Sequence, residues 1–281
     1  MFLGASVLHA QNPVIEAAAK AMGGNNLNGI QLTAAGSSFA FGQSFKPGGP
    51  WPAFKVTRFT QVINLADPSM RIELERTNPD GLVQGGGGLP LAAPQTQIQA
   101  VNGRLAWNVG PGPAGVPTPA MNTADERLLM IWMNPIGAIR AAQQNGGTAS
   151  GRTISFTAQG RPIKVTLAAD NTVQKVETTI DAPVTGDTAL EWEYSDYRDF
   201  NGTKYPSRLI QRQGGHPILD LNVTEVRTAP GGTVMQTPQI IAQAASAPPA
   251  AATPPLVTLT KVAEGIHYIT CLLYTSDAAD E

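Results

Sequence analysis

The period of the apolar positions changes along the chain. From Val14 to Met22 the residues Val14, Ala18, Ala21 and Met22 fall on one side of a helix, which Gly23-Gly24 ends. Beyond it the pattern becomes period two, and Ile30 to Phe41, Phe54 to Leu65, Met70 to Arg76 and Thr96 to Val109 each predict a strand. In the second, Val56, Arg58, Thr60 and Val62 oppose Thr57, Phe59, Gln61 and Ile63, so one face meets a core and the other is partly covered. Lys46 to Pro52 and Gly81 to Pro94 are rich in Pro and Gly, which break a strand ladder, and read as long loops. A helical block opens at Thr123, where Thr123-Ala124-Asp125-Glu126 fits a capping box in which hydroxyl and carboxylate each satisfy a backbone donor. Leu128, Leu129, Ile131, Trp132 and Met133 follow, Pro135 interrupts the run, and Ile136 to Gln144 resumes it. Such dense apolar content predicts a helix pressed into a concave sheet.

The second half reads as a meander of Thr153 to Ala158, Pro162 to Ala168, Thr172 to Ile180, Ala189 to Phe200, Lys204 to Gln213 and Pro217 to Arg227. Asp170-Asn171, Asn201-Gly202 and Gly214-Gly215 supply the turns, and connections this short force neighbouring strands to run antiparallel. The expected class is mainly β with a few helices (α+β): a large curved antiparallel sheet, a half-barrel, with helices packed on its concave face. Residues 12–228 form this domain. Residues 229–256, rich in Ala, Pro, Thr, Gln and Gly, are expected to be an extended, semi-rigid linker.

Both ends carry processing signals. Residues 1–11, MFLGASVLHAQ, read as the remnant of a secretory signal, with part of an apolar core and a small residue at the cut, which predicts an exported, periplasmic or secreted bacterial protein. Residues 271–281, CLLYTSDAADE, read as the translation of a sequencing-library adapter and are set aside as an artefact tail. Without Asp277, Asp280 and Glu281, 18 acidic side chains face 19 basic ones, and the formal charge moves from −2 to +1. The basic residues are scattered singly, so a nucleic-acid partner is not expected. The single Cys, Cys271, belongs to the tail, which excludes thiolate metal sites, a Cys nucleophile and disulfides from the rest of the chain. No stretch approaches the roughly 20 apolar residues of a membrane span.

The motifs that invite a catalytic reading dissolve on inspection. Gly110-Pro111-Gly112-Pro113-Ala114-Gly115 has the letters of a dinucleotide loop, but its prolines delete N–H donors and Val116-Pro117-Thr118-Pro119 follows instead of a helix. Gly85 to Gly88 reads as a flexible loop. Glu191 and Glu193 share one strand face and Leu190, Trp192 and Tyr194 the other, as expected of a solvated outer face and an aromatic inner face. Asp196, Arg198, Asp199 and Lys204 read as cross-strand charge pairs on the rim. His216 lies in a turn between Gly215 and Pro217, which favours exposure over an oriented general base. No catalytic, cofactor-binding or metal-binding residue is assigned. The large apolar residues Trp107, Leu128, Leu129, Trp132, Met133 and Trp192 are candidates to line an apolar cavity for a hydrophobic small molecule, the alternative being plain core.

Two resemblances bear on function. Val262-Ala263-Glu264-Gly265-Ile266-His267-Tyr268-Ile269 is similar to the entry strands of metallo-β-lactamase-fold hydrolases. Gly42-Gln43, Pro50-Trp51-Pro52 and the hairpin from Tyr194 to Ser207 resemble the N-terminal region of exported bacterial members of that superfamily, and the hairpin also resembles the half-barrels of periplasmic lipoprotein-carrier-like domains. The first resemblance implies that residues 257–270 open a catalytic domain, lost by truncation, and that the rest is its accessory domain. That family's zinc cluster, His-x-His-x-Asp-His, has no counterpart here, where His9, His216 and His267 are scattered; any zinc is expected in the missing domain, none in this fragment. The chain is then inactive by itself, with its own C-terminal domain as partner. The second resemblance implies a periplasmic module that binds a lipid or another hydrophobic ligand.

Overall fold

The computed structural model describes residues 12–23, 27–44, 46–81, 83, 87–110, 115–182, 185–229, 236–247 and 256–272. The predicted signal remnant, residues 111–114 of the Gly-Pro motif, residues 84–86 of the Gly loop and the tail from 273 on lie outside them. The chain divides into two compact units, Met1–Ala245 and Ser246–Glu281.

The first unit opens with α1, Pro13–Ala21, whose Asn12 cap accepts from the Val14 N–H at 3.0 Å and whose Pro occupies the first turn, where its missing donor costs nothing. Six strands follow: β1 Gly29–Phe39, β2 Ala53–Asn64, β3 Ser69–Thr77, β4 Gln95–Asn102, β5 Leu105–Val109 and β6 Pro117–Pro119. Two helices, α2 Ala124–Met133 and α3 Pro135–Gln144, carry the chain from β6 to the opposite edge of the sheet. Seven more strands return from there: β7 Thr148–Ser150, β8 Thr153–Ala158, β9 Arg161–Leu167, β10 Val173–Ala182, β11 Gly186–Phe200, β12 Thr203–Gln213 and β13 His216–Thr228. They form one open antiparallel sheet in the order β6-β5-β4-β3-β2-β1-β13-β12-β11-β10-β9-β8-β7, so the first and last long strands meet at its centre. This is the expected half-barrel.

Its concave face is filled by the helices. Inward residues at alternate strand positions, such as Ile154, Val165, Val176 and Trp192, join Leu128, Leu129, Ile131, Trp132, Met133, Ile136 and Ile139 in one buried core. The helical block breaks where Pro135 predicted. Asn134 leaves the helical region (φ −61°, ψ 141°), and its Oδ1 accepts from the Ile136 and Gly137 N–H groups to cap α3. A Cβ on Gly137 would lie 2.1 Å from the Ile131 carbonyl oxygen, so only glycine lets the two helices join this closely. Asn134 Nδ2 donates to the Tyr205 hydroxyl at 2.7 Å, and the Tyr194 hydroxyl donates to the Met133 carbonyl at 2.6 Å. Two buried tyrosines on adjacent strands thus pin the helix joint to the sheet. Burial raises both phenol pKa values, keeping them neutral hydrogen-bonding groups.

Several expectations are corrected. The predicted strand from Thr96 to Val109 is the hairpin β4–β5, with Gly103 (φ 54°) at its turn. Thr123 makes no cap bond; it ends a 3-10 turn, Met121–Thr123, and its hydroxyl donates to the Ala120 carbonyl at 2.8 Å instead. Pro117–Pro119 forms the edge strand β6, a position where proline removes no ladder bond. The extended-linker reading fails for α4, Gln239–Ser246, whose Ile241 is fully buried against Ala100 and Trp107.

In the second unit β14, Leu256–Ala263, pairs antiparallel with β15, Ile266–Leu272. Val257, Leu259, Val262, Ile266, Tyr268 and Ile269 of this hairpin are all exposed. Among the described residues no helix is long and apolar enough to cross a membrane.

Candidate ligand groove

Five of the six predicted cavity residues come together in the main core. Leu128, Leu129, Trp132 and Met133 project from α2 and Trp192 from β11. Trp107 does not join them. Its neighbour Ala106 faces the concave core, so strand alternation turns Trp107 to the other face of β5, where Ala100 and Ile241 cover it. None of the six borders the three hollows described below.

The two larger hollows, about 710 and 340 Å³, open on the outer face of β8–β12 and are lined by charged residues that already have partners. Lys164 and Lys175 reach Glu177 at 3.1 and 2.7 Å, Lys175 also reaches Glu191 at 3.1 Å, and Arg212 reaches Glu193 at 2.9 Å. Burial pushes the Glu177 carboxyl up, but Lys175 and Lys164 outweigh it and hold the pKa below its ordinary value. Glu191 and Glu193 therefore lie on the expected outer face, opposite buried Leu190, Trp192 and Tyr194. On the rim, Lys204 pairs with Asp170 at 3.2 Å and not with Asp199, whose Oδ1 accepts from the Gly202 N–H at 2.7 Å to fix the turn. Arg198 donates to the Val223 carbonyl and lies over the Phe200 ring. His216 is exposed and stacks on Trp51, with centroids 4.5 Å apart. Among the described residues no cluster of three or more His, Cys, Asp or Glu side chains is arranged to hold a metal.

The third hollow lies on the concave face, where α2 stops short of covering the sheet. It holds about 220 Å³ between Phe59, Ile72 and Leu74 of β2 and β3, Gln97 and Gln99 of β4, Glu126 and Met130 of α2, and Gln211 and Leu219 of β12 and β13. Leu74, Met130 and Leu219 are only partly buried. Apolar side chains left half open on a concave wall are the usual floor of a small-molecule site, although this one is smaller than the about 300–1,000 Å³ of drug-sized pockets.

One row crosses the concave face beside this groove. Paired register places Phe54, Ser38, Leu219, Gln211 and Trp192 side by side on β2, β1, β13, β12 and β11. Ser38 and Gln211 are each 6% exposed and Trp192 5%. The Ser38 hydroxyl and Trp192 Nε1 have no hydrogen-bond partner among the described residues, and Gln211 between them lines the groove. A buried polar group left unpaired costs about 1–3 kcal/mol, so two along one row are a departure that folding alone does not reward. At the Phe54 end, Arg76 lays its guanidinium 4.1 Å above the Phe54 ring and donates from Nε and Nη2 to Gln95 Oε1 at 3.2 and 2.9 Å. Burial alone lowers its pKa; no neighbouring charge contributes. Leu89 and Leu91 of the long loop close over Phe54, and Asn78 holds Leu91 through both its N–H (2.6 Å) and its carbonyl (2.9 Å).

The sequence reading missed this row. Its signal was glutamine at an inward position of a period-two strand: Gln211 follows buried Leu209 on the same face.

No family model and no curated protein matches the chain. Among solved structures the chain is similar to a LolA superfamily protein of Nitrosomonas europaea, with 13% identity over 79% of this chain and 94% of that one and a TM-score of 0.41. It is also similar to a DUF1329 family protein of Desulfovibrio piger, with 8% identity over 78% and 92% of the two chains and a TM-score of 0.42.

Proposed function

We propose that the first unit is a non-catalytic module that binds a lipid or another hydrophobic small molecule on its concave face. The observation that carries this reading is the groove itself, whose Leu74, Met130 and Leu219 stay half exposed beside a core otherwise closed by α2 and α3. Catalysis has no comparable support, because the carboxylates of the outer hollows are taken up in ion pairs and His216 stacks on Trp51 without an orienting acid among the described residues. The expected export to the periplasm fits such a module and rests on the N-terminal sequence pattern. The accessory-domain reading, with residues 257–270 opening a metallo-hydrolase domain, has the exposed β14–β15 hairpin in its favour and no support from the comparisons.

The test is titration with the neutral fluorophore N-phenyl-1-naphthylamine. Saturable one-to-one binding with a dissociation constant below about 10 µM, abolished by Met130→Glu in the groove, is expected. At about 0.8 kcal/mol per buried methylene and about 1.4 kcal/mol per tenfold in affinity, a charge on this wall removes binding by more than a hundredfold. Non-saturable binding unaffected by the substitution overturns the reading.

A further inference from the structure

Resting on the reading of the concave groove as a ligand site, we propose that its ligand is a single-chain amphiphile with an oxygen-bearing anionic head, carboxylate or phosphate, and that Arg76 receives that head. The placement follows from strand register. Arg76 pairs with Val56 and Gln95, and so shares the concave face with Leu74, two residues back on β3, while Gln95 shares it with Gln97, two residues on along β4. Two residues of strand span about 6.6 Å, the length of a few methylenes, so an alkyl chain lying on Leu74 and Phe59 brings its end to the guanidinium.

The guanidinium is prepared for an anion. It is fixed from one side by Gln95 Oε1 and from below by the Phe54 ring, and no carboxylate pairs with it among the described residues. Of its five N–H donors, those not directed at Gln95 have no acceptor among the described residues, and a planar fork of donors matches a carboxylate or phosphate edge. Burial works against the charge of Arg76, and an arriving anion reverses that penalty. The same row supplies further donors: the Ser38 hydroxyl and the donor-only Trp192 Nε1, both buried and unpartnered among the described residues, and the Gln211 amide on the groove wall. Their spacing across four strands suits a head with several acceptor oxygens, or a head followed by a polar linkage. Glu126, at the α2 border of the groove, repels an anion there and so sets the direction in which the chain lies. The size of the hollow limits the tail. About 220 Å³ shelters part of one alkyl chain, which leaves apolar contact short of a tight complex by itself and gives the head group a deciding share of the affinity.

The experiment compares 11-(dansylamino)undecanoic acid with its methyl ester on the full chain, at low and at high salt. The acid is expected to bind at least tenfold tighter than the ester at low salt, with the margin shrinking as salt rises. Arg76→Met brings the acid down to the ester's affinity, Arg76→Lys keeps part of the margin because it retains charge without the fork, and Gln95→Leu narrows it by releasing the guanidinium. Dodecyl phosphate displaces the acid from the native protein and dodecyltrimethylammonium does not. Circular dichroism melts of each variant confirm folding, and the Lys variant decides the matter if the Met variant unfolds. Equal affinity for acid and ester, or displacement by the cationic amphiphile alone, overturns the head-group proposal while leaving the carrier reading standing; saturable binding of neither probe removes both.

Discussion

Replacing Asn134 by alanine tests whether the helix joint is what holds α2 and α3 against the sheet. Two losses follow from the structure. The Oδ1 cap on the Ile136 and Gly137 N–H groups disappears, at about 1 kcal/mol. The Tyr205 hydroxyl, in a side chain only 1% exposed, loses its donor, at about 1–3 kcal/mol. Asn134→Ala is thus expected to destabilise the first unit by about 2–4 kcal/mol, and Tyr205→Phe, which leaves the amide unpaired, by about 1–2 kcal/mol. In the double variant both ends of the hydrogen bond are gone, so its cost falls short of the sum by about 1–2 kcal/mol. Urea unfolding followed by Trp132 and Trp192 fluorescence measures this, with an unchanged slope of about 2–3 kcal/mol per molar and a midpoint lowered by about 1 M for the Asn variant. Additivity within about 0.5 kcal/mol, or an Asn134→Ala cost below that, refutes the role given to this joint.

Three further outcomes are expected. The Thr172 hydroxyl is the largest influence on the Asp170 carboxyl and, with the Thr172 N–H and Lys204 assisting, holds it down to about 2 against the opposing effect of burial. A depressed folded pKa stabilises above the unfolded value near 3.9 and loses that contribution as pH falls toward 2, so Asp170→Asn flattens the stability profile in this window, by less than about 1 kcal/mol because the group is exposed; an unchanged acid limb in denaturant titrations contradicts it. Ile241→Asp undocks α4, which red-shifts Trp107 emission and exposes residues 236–247 to limited proteolysis while the core melts near its original temperature; loss of the core transition as well shows α4 to be integral. Gly36→Ala drives a Cβ to 2.0 Å from the Asp220 carbonyl oxygen and separates β1 from β13, costing about 2 kcal/mol or more in thermal denaturation; a neutral result shows that this seam yields freely.

The sheet was legible because turns and period agree. Asn201-Gly202 and Gly214-Gly215 sit at positive φ at the bends where the sequence placed them, and the strands between them alternate as read. What escaped had a local signal masked by its neighbours. Gly103-Arg104, a hairpin turn, was hidden in an unbroken β-like run, and Ile241 was judged by the Ala and Pro around it although one isoleucine suffices to dock a short helix. Thr123 obeyed a capping pattern, but a preceding 3-10 turn claimed its hydroxyl. The groove is a different case. Gln211 and Leu219 border it only because β12 and β13 fold back on each other, and Ser38 reaches their row only through the pairing of β1 with β13. No periodicity within one segment encodes a register across four strands. The apolar residues named in advance were the large ones, and large residues fill a core before they line an opening.

The seam between β1 and β13 has a consequence for the order of folding. The strand that completes the middle of the sheet is the last of its thirteen in chain order, so both outer arms can zip as local meanders before it pairs. Until then β1 and β12 each present a bare backbone edge to whatever is near, so the closing of the sheet's centre is the step most open to a wrong pairing, in whichever compartment the chain folds.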